Sequence, residues 1–170
     1  MRKISIGTIN IGDKVDITDP SYGKSNPYRL TLQNMSEGAY DCFAYVSDSK
    51  RYGQQVRKVR IVRAGTQPHK DAWKHLGVIA VDSGFAGFFA DKPNFLSQEW
   101  REFCDWMFSQ VKTKDRSDPL RYTYLAKMKN QTDGFWSHTG TGDGVFNVYT
   151  VTAIFDGDVK AIAVEIRFIE

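Results

Sequence analysis

The sequence predicts an α+β domain, mainly antiparallel β, sandwich-like or built on a curved sheet, with one main amphipathic helix at about 97–111. Three observations carry that prediction. Apolar and polar residues alternate in runs such as GAYDCFAYVSD (38–48), the pattern of a half-buried strand. Two long apolar runs near the end, VFNVYTVTAIF and VKAIAVEIRF, are joined by Asp156-Gly157-Asp158, and Asp-Gly between such runs is a strong hairpin signal. In SQEWREFCDWMFSQV the apolar residues Trp100, Phe103, Cys104, Met107, Phe108 and Val111 recur at offsets of three and four, which builds one helical stripe.

The elements follow in chain order. Lys3–Ile9 and Lys14–Thr18 read as strands, with Gly12 between them. DPSYGKSNPY (19–28) is rich in proline and small polar residues and reads as a loop. GAYDCFAYVSD and QQVRKVRIVRA form two strands across a hairpin-like connection, the second basic on its outer side. HLGVIAVDSG (75–84) is a short β-branched run stopping on Asp82, Ser83 and Gly84, and FAGFFADK continues the sheet after a bend. Ser97 is placed to cap the helix, with Glu99 in its first turn. LRYTYLAKM (120–128) is one more strand before the closing pair.

A chain of 170 residues, 41% hydrophobic and 14% aromatic, fits a single domain, 1–170, large enough to bury a core without a metal or disulfide staple. Cys42 and Cys104 form no C-x-x-C and read as two reduced buried thiols. The N-terminal run is broken by Gly7 and Gly12 and has no signal-peptide core, and no apolar run reaches the roughly twenty residues of a membrane helix. These features predict a cytoplasmic protein with no membrane partner. Net charge is +3, short of a nucleic-acid footprint. The basic stretch from Lys50 to His75 can attract phosphate-bearing partners, but it reads more simply as a solvated strand face.

Three short stretches share a grammar of aspartate beside small residues at a strand end: Asp19-Pro20-Ser21-Tyr22, then Val81-Asp82-Ser83-Gly84 followed by Ala86-Gly87-Phe88, then Gly142-Asp143-Gly144. In this order, with an apolar residue and Phe168 closing the last hairpin, they resemble a family of bacterial and phage proteins known as a domain of unknown function. Phe85 stands where that family carries a polar residue, often Gln. The resemblance implies a shared fold and no particular reaction.

The chemistry must therefore come from the residues. Ser83, His138 and Asp82 or Asp143 have the residue types of a nucleophilic triad, but no G-x-S-x-G elbow is present, and a turn hydroxyl explains Ser83 more simply. Asp19, Asp82, His138 and Asp143 have the donor types of a mixed oxygen and nitrogen metal site, without any recognised metal-ligand spacing. No metal or other cofactor is assigned. Ser137, Thr139, Gly140, Thr141, Gly142 and Gly144 suit a cradle of backbone N–H groups and hydroxyls. Trp136 beside them offers a ring for stacking, while Asp143 would repel phosphate.

These readings converge on a recognition domain that binds a small polar ligand, a nucleotide among the candidates. The expected ligand-binding residues are Tyr22, Asp82, Ser83, Trp136, His138, Thr139, Thr141 and Asp143. A hydrolase using Asp82, His138 and Asp143, with or without a metal, is the alternative. A structural or protein-binding module, whose glycines simply make turns, is the third reading.

Overall fold

The computed structural model describes residues 1–21, 28–51, 53–90, 102, 105, 106, 109, 115–127 and 133–169. They form eleven strands: β1 Arg2–Ile11, β2 Lys14–Thr18, β3 Leu30–Gln33, β4 Gly38–Ser49, β5 Gly53–Arg63, β6 Lys74–Val81, β7 Phe85–Phe89, β8 Thr123–Lys127, β9 Asp133–His138, β10 Gly144–Phe155 and β11 Asp158–Arg167. Sheet A has the order β1-β4-β5-β11-β10-β6, and sheet B the order β3-β2-β7-β9-β8. Every strand pair within them is antiparallel.

Alternation explains the inner faces. In β4, Tyr40, Cys42, Ala44 and Val46 are buried, and the residues between them point to the other side. The same logic aims Val59 and Ile61 of β5, Val164 and Ile166 of β11, and Phe146 and Val148 of β10 into one core, where they meet Val15, Ile17, Phe88 and Phe135 of sheet B. Cys42 is a free buried thiol, and burial raises its pKa. Cys104 lies outside the described residues. The β10–β11 hairpin closes as its Asp-Gly predicts: Asp156 and Gly157 both have positive φ, 50° and 86°, the geometry of a turn that matches strand twist.

The two sheets are also tied away from the crossings. The Asn10 amide of β1 donates to Asp133 Oδ2 of β9 at 2.7 Å. On the far side, the Ala80 amide of β6 donates to the Tyr28 carbonyl at 3.2 Å.

The predicted α+β class is corrected here. The described residues are nearly all antiparallel β in two sheets, with no main amphipathic helix among them. The physical reason is that the core lies between sheet and sheet, so no helix is needed to cover it. Most of the predicted 97–111 helix, including all six residues of its apolar stripe, lies outside the described residues. Glu102, Asp105, Trp106 and Ser109 have helical backbone. Trp106 packs against Phe85, Phe89, Tyr124 and Trp136 on the outer face of sheet B. A three-residue 3-10 turn, Lys70–Ala72, precedes β6. Strands β3 and β9 were not anticipated from the sequence.

No helix among the described residues is long and apolar enough to cross a membrane.

Candidate functional site

The topology brings the aspartate motifs together. Strand β6 belongs to sheet A and β7 to sheet B, so Asp82-Ser83-Gly84 is a crossing between sheets. Strand β9 belongs to sheet B and β10 to sheet A, so residues 139–143 cross in the opposite direction. Val81 pairs with Gly144 at one end of the two crossings, and Phe85 pairs with His138 at the other. The crossings must therefore run side by side. The Thr139 amide donates to the Gly84 carbonyl at 2.9 Å and ties them.

Asp19 locks the third motif onto this pair. It follows β2, which pairs with β7, and it is fully buried. Its Oδ2 accepts from the amides of Asp82 and Ser83, both at 2.8 Å. Its Oδ1 accepts from the Ser21 amide and the Ser83 hydroxyl, both at 2.7 Å. A buried carboxylate needs such donors to offset its lost hydration. Here four of them come from two segments more than sixty residues apart.

Glycine is required at two places. Gly140 has φ 77°, and a Cβ there would lie 2.9 Å from the Val56 carbonyl oxygen. Its own carbonyl accepts from Gln55 Nε2 at 2.8 Å, which anchors the second crossing to β5. Gly84 has φ 73°, and a Cβ there would lie 3.5 Å from His138 Nε2 and 3.6 Å from Gly142 Cα, so the two crossings approach closely at this point.

His138 is held within this frame. Its Nδ1 accepts from the Gly140 amide at 3.0 Å, so the neutral ring carries its proton on Nε2, the nitrogen nearest Gly84. Phe85 meets the ring edge-on at 5.6 Å and Tyr122 lies at 6.2 Å. Burial among them lowers its pKa, which favours the neutral donor form.

The predicted ligand residues now separate into groups. Asp82, Thr141 and Asp143 are exposed and His138 is half-buried, all on the two crossings. Ser83 is committed to the frame: its hydroxyl donates to Asp19 and accepts from the Phe85 amide at 3.2 Å. Thr139 is buried, and its hydroxyl donates to the Gly142 carbonyl at 2.5 Å. Trp136 is fully buried, stacked on Phe89 at 5.7 Å on the outer face of sheet B. Its full burial leaves no ring face open to a ligand. Tyr22 lies outside the described residues.

Among the described residues, no hydrogen bond or ion pair links the side chains of Asp82, His138 and Asp143. No group of three or more His, Cys, Asp or Glu among them is arranged to hold a metal ion. Asp19 and Gln55 were missing from the predicted ligand set. The Asp-Pro-Ser spacing was the signal for Asp19, since an aspartate two residues before an amide forms an Asx turn; Gln55 had no local signal. Comparison with protein-family models, curated proteins and solved structures found no match for the chain.

Proposed function

We propose that this is a cytoplasmic binding domain for a small polar ligand, docked on the open side of the two crossings at Asp82, His138, Thr141 and Asp143. The observation that carries this reading is the Asp19 hub. A fully buried carboxylate with four donors fixes the 19–21 segment to the first crossing, the Thr139 amide ties the second crossing to the first, and a rigid frame with exposed polar side chains is the form of a pre-organised site. Two carboxylates, one hydroxyl and the Nε2–H of a neutral imidazole make an acceptor-rich surface. It suits a ligand that presents hydroxyl or amino donors, such as the sugar or base portion of a nucleoside, and it disfavours a phosphate at the same spot. The free thiol of Cys42 suits a reducing compartment.

The hydrolase reading has less support. Among the described residues, no hydrogen bond or ion pair links Asp82, His138 and Asp143, the residues it would use, and the Ser83 O–H donates to Asp19. The structural reading is favoured by Thr139 and Ser83, both of which are spent inside the frame. One experiment separates it from the binding reading. The Asp82→Asn, Asp143→Asn double variant and the parent are melted with and without a fractionated small-molecule cell extract. Without extract the two should differ by only about 0.5 kcal/mol per surface change. A fraction that raises the melting temperature of the parent should leave the variant unmoved. Equal responses would remove the ligand from this surface.

A further inference from the structure

The outer face of sheet A holds a second polar construction. Register lays out two rows of residues across adjacent strands. One row runs Phe43, Arg60, Glu165, Tyr149, His75, and the other Lys3, Tyr45, Lys58, Arg167, Asn147. At their centre Glu165 is fully buried. Arg60 reaches its Oε2 through Nε at 2.8 Å and also through Nη2. Lys58 Nζ lies 3.1 Å from the same oxygen, and Arg167 Nε donates to Oε1 at 2.6 Å. Burial alone would raise the Glu165 pKa, but Arg60, Arg167 and Lys58 outweigh it and hold it low.

This is not the solvated face that the basic sequence suggested. The side chains of Lys58 and Arg60 are only 17% and 16% exposed. Aromatic rings fix the cations from the sides: Arg60 lies 4.2 Å over Trp73 and 4.9 Å over Tyr45, Arg167 lies 3.7 Å over Tyr149, and Lys3 lies 3.6 Å over Phe43. These contacts hold long side chains in place. They also cover the ring faces, so a base or sugar ring does not stack there.

The charges do not balance. Three cations converge on Glu165, and among the described residues it is the one carboxylate they bond. Two positive charges are left over in a partly buried setting, where surplus charge is costly. Donors are left over as well. The described bonds use Nε and Nη2 of Arg60 and Nε of Arg167, so the Arg60 Nη1 group and both Nη groups of Arg167 remain for another partner. Glu165 lies beneath its cations, so an arriving anion meets guanidinium and ammonium first.

We propose that Lys58, Arg60 and Arg167 form a binding site for a phosphate dianion, free or as a phosphomonoester. A dianion matches the surplus of two charges, and its oxygens match the fork of donors that guanidinium groups present. This site is on the opposite side of sheet A from the core and is independent of the crossing loops.

The test is calorimetric titration with inorganic phosphate and with a nucleoside 5′-monophosphate, in chloride buffer at constant ionic strength. Saturable binding of one equivalent is expected. Lys58→Met should weaken it about tenfold, the loss of one charge-assisted hydrogen bond. Asp82→Asn, Asp143→Asn should leave it unchanged, which separates this site from the proposed loop site. Equal affinities would identify the phosphate group as the whole of recognition, and tighter binding of the ester would identify an esterified ligand. If Lys58→Met fails to fold, the Nε–H resonances of Arg60 and Arg167 in the parent protein supply the reading. They should shift with phosphate and stay still with added chloride. No saturable binding, resonances that do not move, or an equal response to chloride would overturn the proposal.

Discussion

Asp19 is the residue on which the 82–84 crossing depends. It contributes no exposed surface, and it holds the predicted ligand positions Asp82 and Ser83 by their backbone amides. Its value is the four donors it satisfies. Asp19→Ala leaves two backbone amides of the 82–84 crossing without their acceptor. A hydrogen bond to a charged group contributes about 1.5–3 kcal/mol and an unsatisfied buried donor costs a similar amount, so the variant should lose about 3 kcal/mol or more in a urea titration. His138 gives a second, pH-dependent expectation. Its folded pKa is lowered by burial, so between the folded and unfolded values the unfolded chain binds more protons. Its contribution to stability is complete above the unfolded value, about 6.5, and is lost as pH falls through the folded one. His138→Gln should flatten this part of the stability profile between neutral and mildly acidic pH, as read by thermal melting.

At the scale of elements, the sheet-to-sheet crossings behave differently along their length. Gly140 and Gly142 both have φ near +80°, at 77° and 87°. A Cβ at Gly140 would also meet the Val56 carbonyl oxygen, whereas one at Gly142 would meet nothing within 4 Å. Gly142→Ala should therefore cost about 1 kcal/mol of backbone strain, and Gly140→Ala distinctly more, in paired denaturation curves. The sequence made some elements easy to read and hid others. Strands β4 and β10 have a buried inner face and a mixed outer one, so their alternation was visible, while β11, buried at six successive positions, was marked by its apolar run and the Asp-Gly of the last hairpin. Strand β9 reads DGFWSH and is buried at four successive positions, 134–137, because Trp106, Phe89 and Tyr124 cover the face opposite the core. A strand buried on both sides has no period for a sequence pattern to show. That same covering explains why Trp136 resembled a stacking wall. The residues that bury it stand at 89, 106 and 124, and only the sheet order brings them to it.

For the molecule as a whole, the candidate site lies where the two sheets exchange chain. Each aspartate motif was legible as a motif; their convergence was not, because it follows from the β6–β10 and β7–β9 pairings and not from any local spacing. The basic face misled in a similar way. Lys58 and Arg60 looked solvated until β11 placed Glu165 between them and Arg167. The sheet therefore carries a cation-rich face on one side of the core and an acceptor-rich edge at one end. The central claim is that the acceptor-rich edge holds the ligand. Amide chemical-shift mapping of the isotopically labelled protein, titrated with the extract fraction that raises its melting temperature, tests this most directly. The predicted result is a contiguous set of shifts at residues 82–85 and 138–144, with the β4 and β5 amides unmoved. Shifts centred elsewhere, with 82–85 and 138–144 silent, would contradict it.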